Sequence, residues 1–573
     1  SLLAHKIFRL YGQKTVEIIT KNPYRLAQEV WGVGFTTADQ IAANLGIKAD
    51  SPLRLKAGIL YTIQKAAEGE GHCFLTGTIL SERAKSLLEL EDNIDLSPFV
   101  DELKTEGDLI DMEGNYYLPA LDRAEDSVAY FVSKRCQALS NTKIPESLVT
   151  DTISQIIKKL SFDFSVEQKE AVYRSIKYPL LVITGGPGCG KTTIIQAITA
   201  AYEAAGQIIK LAAPTGRAAQ RMSQVCALPA STIHRLLKFD PIKRGFIHGP
   251  KDPLIADIII VDEASMIDIY LAQSLFSAIS DKTTIILVGD KDQLPSVGPG
   301  RILGDLLSLT EIQSISLSRI FRRKEESSIN DIAHAINSGN VPNIPVPDGE
   351  TKADAYFIPK SEPEEITSLV RKLVAEQIPK KFGISAQEIV VLTPSNRGPL
   401  GTIALNQQLQ AHLNPPGSID SEQEIEVGET ILRIGDRVCQ RVNNYQIDEA
   451  GVFNGDTGQV YSIDKYSGRL TVELWDGRLI DYERAELPQL ALAYAVTVHR
   501  SQGSEIPCVV MVLHDSHYAL LERQLVYTGV TRAKKLLIIV GSKRALAIAS
   551  KRTNTHRRLT RLPLRIRELI GEY

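Results

Sequence analysis

The chain has 573 residues, 43% of them hydrophobic and 23% charged, and its 65 basic and 68 acidic side chains leave a net charge of −3. This length exceeds what one hydrophobic core supports, so we expect several domains. No apolar run reaches the roughly 18 residues of a membrane-spanning helix, which argues against a membrane protein. The near-neutral charge excludes a uniformly basic surface, but a nucleic-acid channel needs only local positive charge. The cysteines form no CxxC pair, which argues against a zinc site or a disulfide framework and favours a cytoplasmic protein.

The N-terminal pattern over residues 1–125 predicts short helices with charged faces, followed by a helical linker over residues 126–160. Between two helical patterns lies a Gly-x-Gly turn, Gly32 to Gly34. This turn is typical of a helix-hairpin-helix unit, whose backbone N–H groups contact a DNA phosphate without reading bases. A tight helical corner that needs positive φ explains it equally well. Because the chain begins at Ser1 within an amphipathic pattern, we interpret it as a fragment whose natural N-terminus lies upstream.

Buried strands alternate with helices over residues 161–316 and again over residues 317–573, which predicts two α/β domains with parallel sheets that face each other. The predicted strands are Leu180–Thr184, Ile208–Ala213, Ala256–Val261 and Thr284–Val288 in the first domain, and Glu388–Thr393, Val509–Leu513 and Leu536–Val540 in the second. Ligands in such sheets bind at the carboxyl ends of the strands.

Two inserts interrupt these domains. Near residues 425–490, short alternating strands and the turns Asn454–Gly455 and Asp476–Gly477 predict a small β-barrel. Near residues 239–253, glycines and three prolines predict a β-hairpin that protrudes from the first domain.

The segment Gly185–Thr193 is a glycine-rich turn between an apolar strand and a helical stretch. Backbone N–H groups and the helix dipole make such a turn a phosphate cradle. Lys191 would reach the β- and γ-phosphates, and the Thr192 hydroxyl would hold Mg²⁺. A flexible glycine loop is the alternative, which the flanking strand and helix make the weaker explanation. We therefore expect ATP binding with Mg²⁺.

Two adjacent carboxylates, Asp262 and Glu263, directly follow a predicted strand. Carboxylates so placed are costly unless a cation lies between them. Asp262 would hold Mg²⁺, and Glu263 would orient and deprotonate the attacking water. A solvated acidic turn is the alternative, but with the phosphate cradle upstream the pair favours hydrolysis over mere binding.

Three further residues fit phosphoryl transfer. Gln293, after the next strand, can sense the γ-phosphate, although on spacing alone its loop is better explained as a turn with caps. Arg322 and Arg532 could stabilise the charge on the γ-phosphate from a facing domain, although either alone fits a surface or salt-bridge residue.

The segment Leu492–Glu505 changes abruptly from apolar to polar. Its small polar groups, on Thr497, His499, Ser501 and Gln502, suit the phosphates and sugars of a single strand. A histidine packed in the core is the alternative for His499.

The ordered motifs resemble those of superfamily 1 helicases, and in particular the RecD-like branch in its long form with N-terminal helix-hairpin-helix units. They are Ser165–Gln168, Gly185–Thr193, Ala213–Ala219, Thr232–Leu236, Asp262–Ser265, Gly289–Gly298, Phe321–Arg322, Ala493–Glu505 and Val526–Ala533, with Asn396–Gly401, Gly435–Val438, Asn443–Tyr445 and Phe453–Asp456 as further signatures. Arg323 stands where the family usually has glutamine, and Arg500 where it usually has lysine.

The resemblance implies two RecA-like domains and an ATP-dependent helicase that moves 5′ to 3′ on single-stranded DNA in repair or recombination. The hairpin would be the strand-separating pin, and the barrel would be the Src-homology-3-like module that grips DNA. The implied protein is a monomer in the bacterial cytoplasm, associated with the nucleoid, whose partners are single-stranded DNA, duplex junctions and single-strand-binding or other repair proteins.

The resemblance also assigns residues. Gln168 would recognise adenine, and Lys191, Glu263, Gln293, Arg322 and Arg532 would act in catalysis. The nucleotide would further contact Gly186, Pro187, Gly188, Cys189, Gly190, Thr192, Thr193 and Glu505. DNA would contact Gly32, Gly34, Pro214, Thr215, Arg217, His234, Val297, Asn396, Arg397, Thr497, His499 and Ser501.

Two other functions compete with a motor enzyme. A regulatory protein could bind repair intermediates through its N-terminal turn and use ATP only as a clamp, although Lys191 and Glu263 favour the motor. The chain could also be the motor subunit of a nuclease complex. It carries no nuclease constellation, so cutting would need a partner chain. A relaxase fusion is disfavoured because the sequence has no His-x-His pair.

Overall fold

The structure is a computed structural model. It describes residues 7, 8, 10–30, 33–136, 138–140, 142, 144–160, 163–240, 245–318, 327–348, 352–416, 424–444, 446–448, 451–553 and 558–571.

The N-terminal region is mainly helical and has a core of its own around Ile59 and Ile63. It also contains a small antiparallel sheet, in the order β1-β3-β2, that the sequence pattern does not predict. Its elements are α1 (Thr15–Lys21), α2 (Arg25–Glu29), α3 (Phe35–Asn44), α4 (Pro52–Glu70), β1 (Leu75–Thr76), α5 (Gly77–Leu88), α6 (Ser97–Glu106), β2 (Ile110–Met112) and β3 (Asn115–Tyr117).

The first RecA-like domain is a six-stranded parallel sheet in the order β11-β4-β10-β9-β5-β6. Its central strands are buried on both faces, as their Val and Ile content requires. Its elements are α7 (Pro119–Cys136), α8 (Glu146–Leu160), α9 (Val166–Lys177), β4 (Leu180–Gly185), α10 (Lys191–Ala204), β5 (Ile209–Ala213), α11 (Gly216–Cys226), β6 (Ala230–Thr232), α12 (Ile233–Leu236), β7 (Phe239–Asp240), β8 (Gly245–Phe246), β9 (Ile258–Val261), α13 (Ile269–Ser277), β10 (Thr284–Gly289), α14 (Ile302–Leu307) and β11 (Ser314–Leu317).

Helices cover both faces of this sheet. Helices α7, α13 and α14 pack on one face, and α8, α9 and α10 pack on the other. The two helices that overlap the predicted linker, α7 and α8, therefore belong to the packed core of this domain.

The second RecA-like domain has five parallel strands in the order β12-β23-β22-β13-β21. Its elements, with those of its insert, are α15 (Ser328–Asn337), β12 (Ala355–Pro359), α16 (Pro363–Lys372), α17 (Ile378–Phe382), β13 (Ile389–Thr393), α18 (Thr402–Leu413), β14 (Glu424–Val427), β15 (Thr430–Arg433), β16 (Arg437–Gln440), β17 (Thr457–Asp464), β18 (Arg469–Leu474), β19 (Leu479–Tyr482), β20 (Leu490–Leu492), β21 (Ala495–Thr497), β22 (Ile506–Leu513), α19 (Arg523–Val530), β23 (Ala533–Gly541) and α20 (Lys543–Lys551).

The predicted barrel insert is a five-stranded antiparallel sheet in the order β19-β18-β17-β16-β20, preceded by the hairpin β14–β15. Gly455 and Gly477 have φ of 94° and 84°, so both predicted turns need glycine at these positions. The insert lies against the first RecA-like domain, where Gln220 on α11 donates to the Trp475 carbonyl at 3.1 Å.

The last helix, α21 (Leu562–Gly571), leaves the second domain. It packs Leu562 and Ile566 into the core that α7 and α13 form with the first sheet. Helix α21 therefore packs on the domain that contains the nucleotide motif.

Candidate active site

The phosphate cradle has the predicted form. Gly188 and Gly190 adopt φ of 75° and 81°, a region that favours glycine, and α10 begins directly afterwards at Lys191. The Lys191 ammonium donates to the carbonyls of Gly185 and Gly186 at 2.5 and 2.9 Å. It therefore lies over the turn that would hold the β- and γ-phosphates.

Gln168 is fully buried behind this turn. Its side-chain oxygen accepts from the Ser165 N–H at 2.9 Å in a capping box that starts α9. Its amide nitrogen donates to the Cys189 carbonyl at 3.2 Å. In this conformation Gln168 joins α9 to the cradle, and its contact with adenine stays a prediction.

The acidic pair ends β9 in a strained backbone. Glu263 adopts φ 53° and ψ 39°, which is uncommon for a residue with a side chain and is typical of functional sites. Burial, with a smaller contribution from the Glu263 charge, raises the pKa of Asp262 to about 6. The pair is a concentrated negative charge that a cation would stabilise.

Arg532 connects the two RecA-like domains across the cleft. Its guanidinium donates to the Gln293 side-chain oxygen at 2.8 Å and lies 3.8 Å from a Glu263 carboxylate oxygen. Arg532 is only 5% exposed, so little water screens these contacts. The structure thus brings three of the predicted catalytic residues together. Arg322 lies outside the described residues.

A second cation, Arg221, occupies the same cleft and was not predicted. It lies on α11 and donates to the Thr192 hydroxyl at 3.2 Å. It also forms a 2.7 Å ion pair with Glu505 of the second domain, whose other oxygen lies 3.7 Å from Lys534. Glu505 is therefore linked to Thr192 through Arg221, and its contact with the nucleotide stays a prediction. No local motif marks Arg221.

Backbone contacts also cross the cleft beside Gln293. The Leu294 N–H donates to the Thr528 hydroxyl at 2.8 Å, and the Leu294 carbonyl accepts from Gln502 at 2.8 Å. The Leu294 side chain is buried in the core of the second domain. The loop that follows β10 is thus held by both domains.

The residues after β5 that are predicted to contact DNA lie where the first domain meets the barrel insert and the second domain. Thr215 caps α11 by accepting from the Ala218 N–H, and Pro214 precedes it. Arg217 donates to Thr457 of the barrel insert at 2.6 Å and to Ser504 of the second domain at 3.2 Å. Burial lowers the pKa of Arg217.

His234 lies in an aromatic cluster at the base of the hairpin. Its ring centroid is 5.7 Å from Phe246 of the hairpin and 5.7 Å from Phe453 of the barrel insert. Phe239 meets Phe246 edge-on at 5.5 Å. Strands β7 and β8 confirm a hairpin here, and its residues 241–244 lie outside the described residues.

The other predicted DNA contacts are distributed around the cleft. Val297 is 71% exposed on the loop after β10, and His499 is also exposed. Thr497 and Ser501 are buried; their hydroxyls accept from the Arg500 N–H and donate to the Val498 carbonyl, respectively.

Two predicted DNA contacts, Asn396 and Arg397, lie at an exposed turn of the second domain.

In the N-terminal glycine turn, Gly34 has φ −86° and precedes α3, so this position does not need positive φ. Gly32 lies outside the described residues.

Comparison with known proteins identifies the family. The chain is 35% identical over 568 residues to the ATP-dependent RecD2 DNA helicase of Deinococcus radiodurans, and the match covers 96% of this chain and 74% of that protein. The chain belongs to the RecD2 family of ATP-dependent DNA helicases.

Family profiles match four parts of this RecD2-family chain. They are the ATP-dependent RecD2 DNA helicase helix-hairpin-helix domain at residues 1–74, an AAA domain at 168–299, the ATP-dependent RecD-like DNA helicase SH3 domain at 405–474 and the UvrD-like helicase C-terminal domain at 492–540. They confirm the helix-hairpin-helix interpretation of the N-terminal region and the Src-homology-3-like interpretation of the insert.

Other similarities are more distant. The RecBCD enzyme subunit RecD of Mycolicibacterium smegmatis is 30% identical over 422 residues, covering 67% of this chain and 72% of that protein. Among solved structures, Pif1 helicase from Bacteroides with ADP-AlF3 and single-stranded DNA has a TM-score of 0.39 at 19% identity, covering 66% of this chain and 92% of that one. Pif1 from Candida albicans has a TM-score of 0.40 at 17% identity, covering 71% and 99%.

The phosphate cradle and the family both imply that the protein uses a nucleotide. Two residues of the site also fit Mg²⁺. A hydroxyl on Thr192 and a carboxylate on Asp262 are the oxygen donors that Mg²⁺ takes, with water in the other positions. Both lie near the Arg221 guanidinium, which bonds Thr192 and whose charge partly offsets the rise that burial causes in the Asp262 pKa. Within the described residues, no helix is long and apolar enough to cross a membrane.

Proposed function

We propose that this RecD2-family chain couples ATP hydrolysis in the cleft to 5′-to-3′ movement along single-stranded DNA and thereby separates duplex strands. The observation that carries the proposal is the reach of Arg532 from the second domain to Gln293 and Glu263 of the first. A residue so placed lets the two domains respond together to the state of the γ-phosphate.

The chemistry is divided among residues of both domains. Lys191 would bind the β- and γ-phosphates, and Glu263 would take a proton from the attacking water. Thr192 and Asp262 would hold Mg²⁺, which when bound supplies positive charge at the phosphate oxygens. Arg532 would stabilise the charge that develops on the γ-phosphate, and we assign Arg322 the same role.

Movement would follow from the contacts beside the nucleotide. Gln293 bonds Arg532, and the adjacent Leu294 is bonded by Thr528 and Gln502. Gln502 belongs to the segment that also carries Thr497, His499 and Ser501. If the cleft opens or closes, the residues predicted to contact DNA in one domain would therefore move relative to those in the other domain.

The hairpin near residues 239–253 would split the duplex. Its Phe246 packs on His234, a predicted DNA contact, and His234 in turn packs on Phe453 of the barrel insert. A rigid base is what a separating wedge needs, because a mobile one would yield to the duplex.

We also propose that the protein acts as a monomer in the bacterial cytoplasm, on nucleoid DNA and duplex junctions, with single-strand-binding or other repair proteins as partners. The two RecA-like domains that complete the cleft belong to one chain, which supports a monomeric motor. Sedimentation of the active protein with and without a forked DNA tests the oligomeric state.

Unwinding of matched duplexes with a 5′ or a 3′ single-stranded tail tests the function. We expect strand separation of the 5′-tailed duplex only, dependent on ATP and lost in Glu263→Gln. DNA-stimulated hydrolysis without strand separation would favour an ATP-driven clamp instead. Unwinding of the 3′-tailed duplex would overturn the polarity.

A further inference from the structure

The C-terminal segment (residues 558–571) returns from the second RecA-like domain to the first and to the N-terminal region. Its helix α21 places Arg565 2.6 Å from Asp122 and 3.2 Å from the fully buried Glu125, both on α7. Thr560 donates to the same Glu125 carboxylate at 2.7 Å. A buried carboxylate that several charged or hydroxyl donors share is a firm anchor, because a buried charge is costly unless such donors satisfy it.

Arg558, at the start of this segment, holds the loop that follows β10. One terminal nitrogen donates to the Ser296 hydroxyl at 3.0 Å and to the carbonyls of Gly298 and Gly300 at 2.8 and 2.6 Å. The other donates to the Ser296 carbonyl at 2.5 Å. These bonds come from one rigid planar group, so they fix the backbone of residues 296–300 as a unit.

The N-terminal region also contacts the 296–300 loop and the C-terminal segment. The Gly300 N–H donates to the Gly71 carbonyl at 2.9 Å, and the Leu559 N–H donates to the His72 ring at 2.9 Å. Gly71 has φ 78°, and a Cβ atom there would lie 2.3 Å from the Arg558 guanidinium carbon. Glycine at this position therefore lets three parts of the chain meet around one side chain.

The loop that Arg558 holds lies between the cleft and the surface. At one end Gln293 bonds Arg532, and four residues later Val297 is 71% exposed. Val297 stands between Ser296 and Gly298, both of which Arg558 binds. An exposed apolar side chain on a fixed backbone suits contact with a base or sugar of a single strand.

We propose that Arg558 is a positioning residue that fixes the 296–300 loop for single-stranded DNA, so that the C-terminal segment sets the DNA affinity of the first RecA-like domain. This inference rests on the proposed function. It predicts an effect on DNA affinity and on loop mobility, with little effect on the chemistry of ATP hydrolysis.

The test compares Arg558→Ala, Arg558→Lys and the control Arg567→Ala in the full chain. Arg567 lies on the same segment and pairs with Glu311 at the surface at 3.1 Å, away from the loop. Three measurements are made: hydrogen–deuterium exchange of residues 289–300 without DNA, fluorescence anisotropy with oligo-dT, and ATP hydrolysis as a function of oligo-dT concentration.

For Arg558→Ala we expect faster exchange within this segment at residues 296–300, which Arg558 binds. We also expect oligo-dT binding to weaken by about tenfold or more, because bonds from a charged donor are lost, with kcat at saturating DNA within about twofold of wild type. Arg558→Lys should be intermediate, since one ammonium cannot replace the fork. Arg567→Ala should match wild type.

Unchanged exchange and unchanged oligo-dT affinity in both Arg558 variants would overturn the inference. A fall in kcat with unchanged DNA affinity would also overturn it. If Arg558→Ala does not fold, Arg558→Lys decides through the same measurements. Wild-type protein whose hydrolysis ignores DNA would contradict the proposed function instead, and the exchange and anisotropy results would still decide whether Arg558 positions the loop.

Discussion

The Tyr527 hydroxyl, on α19 of the second RecA-like domain, donates a 2.9 Å hydrogen bond to the buried Asp290 carboxylate of the first. The same carboxylate oxygen accepts from the Gln293 amide at 3.1 Å, and Gln293 accepts from Arg532 at 2.8 Å. Burial, together with the charge of Asp290, raises the pKa of Tyr527, so this hydroxyl stays a donor at physiological pH. The second domain therefore orients Gln293 in two ways: Arg532 bonds its amide oxygen directly, and Tyr527 bonds the Asp290 carboxylate that accepts from its amide nitrogen.

Removing the tyrosine hydroxyl should uncouple the cleft without disturbing DNA contacts. In Tyr527→Phe the Asp290 carboxylate loses a buried donor, at a cost of about 1–3 kcal/mol. We expect kcat for DNA-stimulated hydrolysis to fall by about tenfold, with DNA affinity within about twofold. Steady-state hydrolysis and oligonucleotide anisotropy measure both. Tyr518→Phe, at a 60% exposed position of the same domain, should behave as wild type.

Removing Arg532 should have a larger effect on catalysis. Cations that stabilise the γ-phosphate in trans or across a cleft contribute about 10³-fold or more to hydrolysis. We expect a loss of that order in kcat for Arg532→Ala, with ATP binding retained, measured by hydrolysis and by binding of a fluorescent ATP analogue. Lys535→Ala is the matched control, because this nearby cation is exposed and lies 4.0 Å from Glu388 at the surface. Equal activity in the two variants would contradict the assignment.

The inner strands of both sheets were predictable, and the edge strands were not. All seven predicted strands are inner strands, and most of them are buried on both faces and are continuous apolar runs in the sequence; β5, with Lys210, is the exception. The four edge strands, β6, β11, β12 and β21, escaped prediction. They are short or mixed in polarity, as in Ala230–Thr232 and Ala495–Thr497. Edge strands pair on one side only, so their sequences carry a weaker signal.

The residues of the candidate site also fall into a predictable and an unpredictable group. The positions of Lys191, Glu263 and Gln293 beside strand ends were predictable, because each motif and its strand lie in one short segment; the roles of these residues stay predictions. Arg221 and Arg558 were not predictable, because each is an ordinary arginine in sequence. Their roles come from contacts with residues up to hundreds of positions away, such as Glu505 and Gly298. Only the assembled fold brings such pairs together.

The hairpin should be needed for strand separation but not for hydrolysis. Deleting residues 245–250 removes β8 and its contact with His234, while the cleft residues are untouched. We expect unwinding of a 5′-tailed duplex to be lost and DNA-stimulated hydrolysis to stay within about twofold of wild type. Ile255→Ala, at a 78% exposed position just beyond the hairpin, serves as the control. Unwinding that survives the deletion would count against the pin.

DNA affinity should fall as salt concentration rises. Phosphate contacts release counterions, so log Kd should change linearly with log salt, with a slope of about 0.7 per phosphate contact on a single strand. Anisotropy of oligo-dT at several potassium chloride concentrations measures the slope. Arg397→Ala, at an exposed turn, should reduce the slope by about one contact. A flat response would exclude recognition through the backbone.

Lys191→Ala should separate nucleotide chemistry from DNA binding. The Lys191 ammonium lies over the cradle, 2.9 Å from the Gly186 carbonyl, and within the described residues its bonds are to the turn itself. Its loss removes the main charge for the β- and γ-phosphates, so we expect hydrolysis to fall below detection. The residues predicted to contact DNA, such as Val297 and His499, lie on other loops, so oligo-dT binding should remain measurable by anisotropy. Normal turnover in this variant would refute the phosphate site. Loss of DNA binding would mean that the residues that contact DNA depend on an intact cradle.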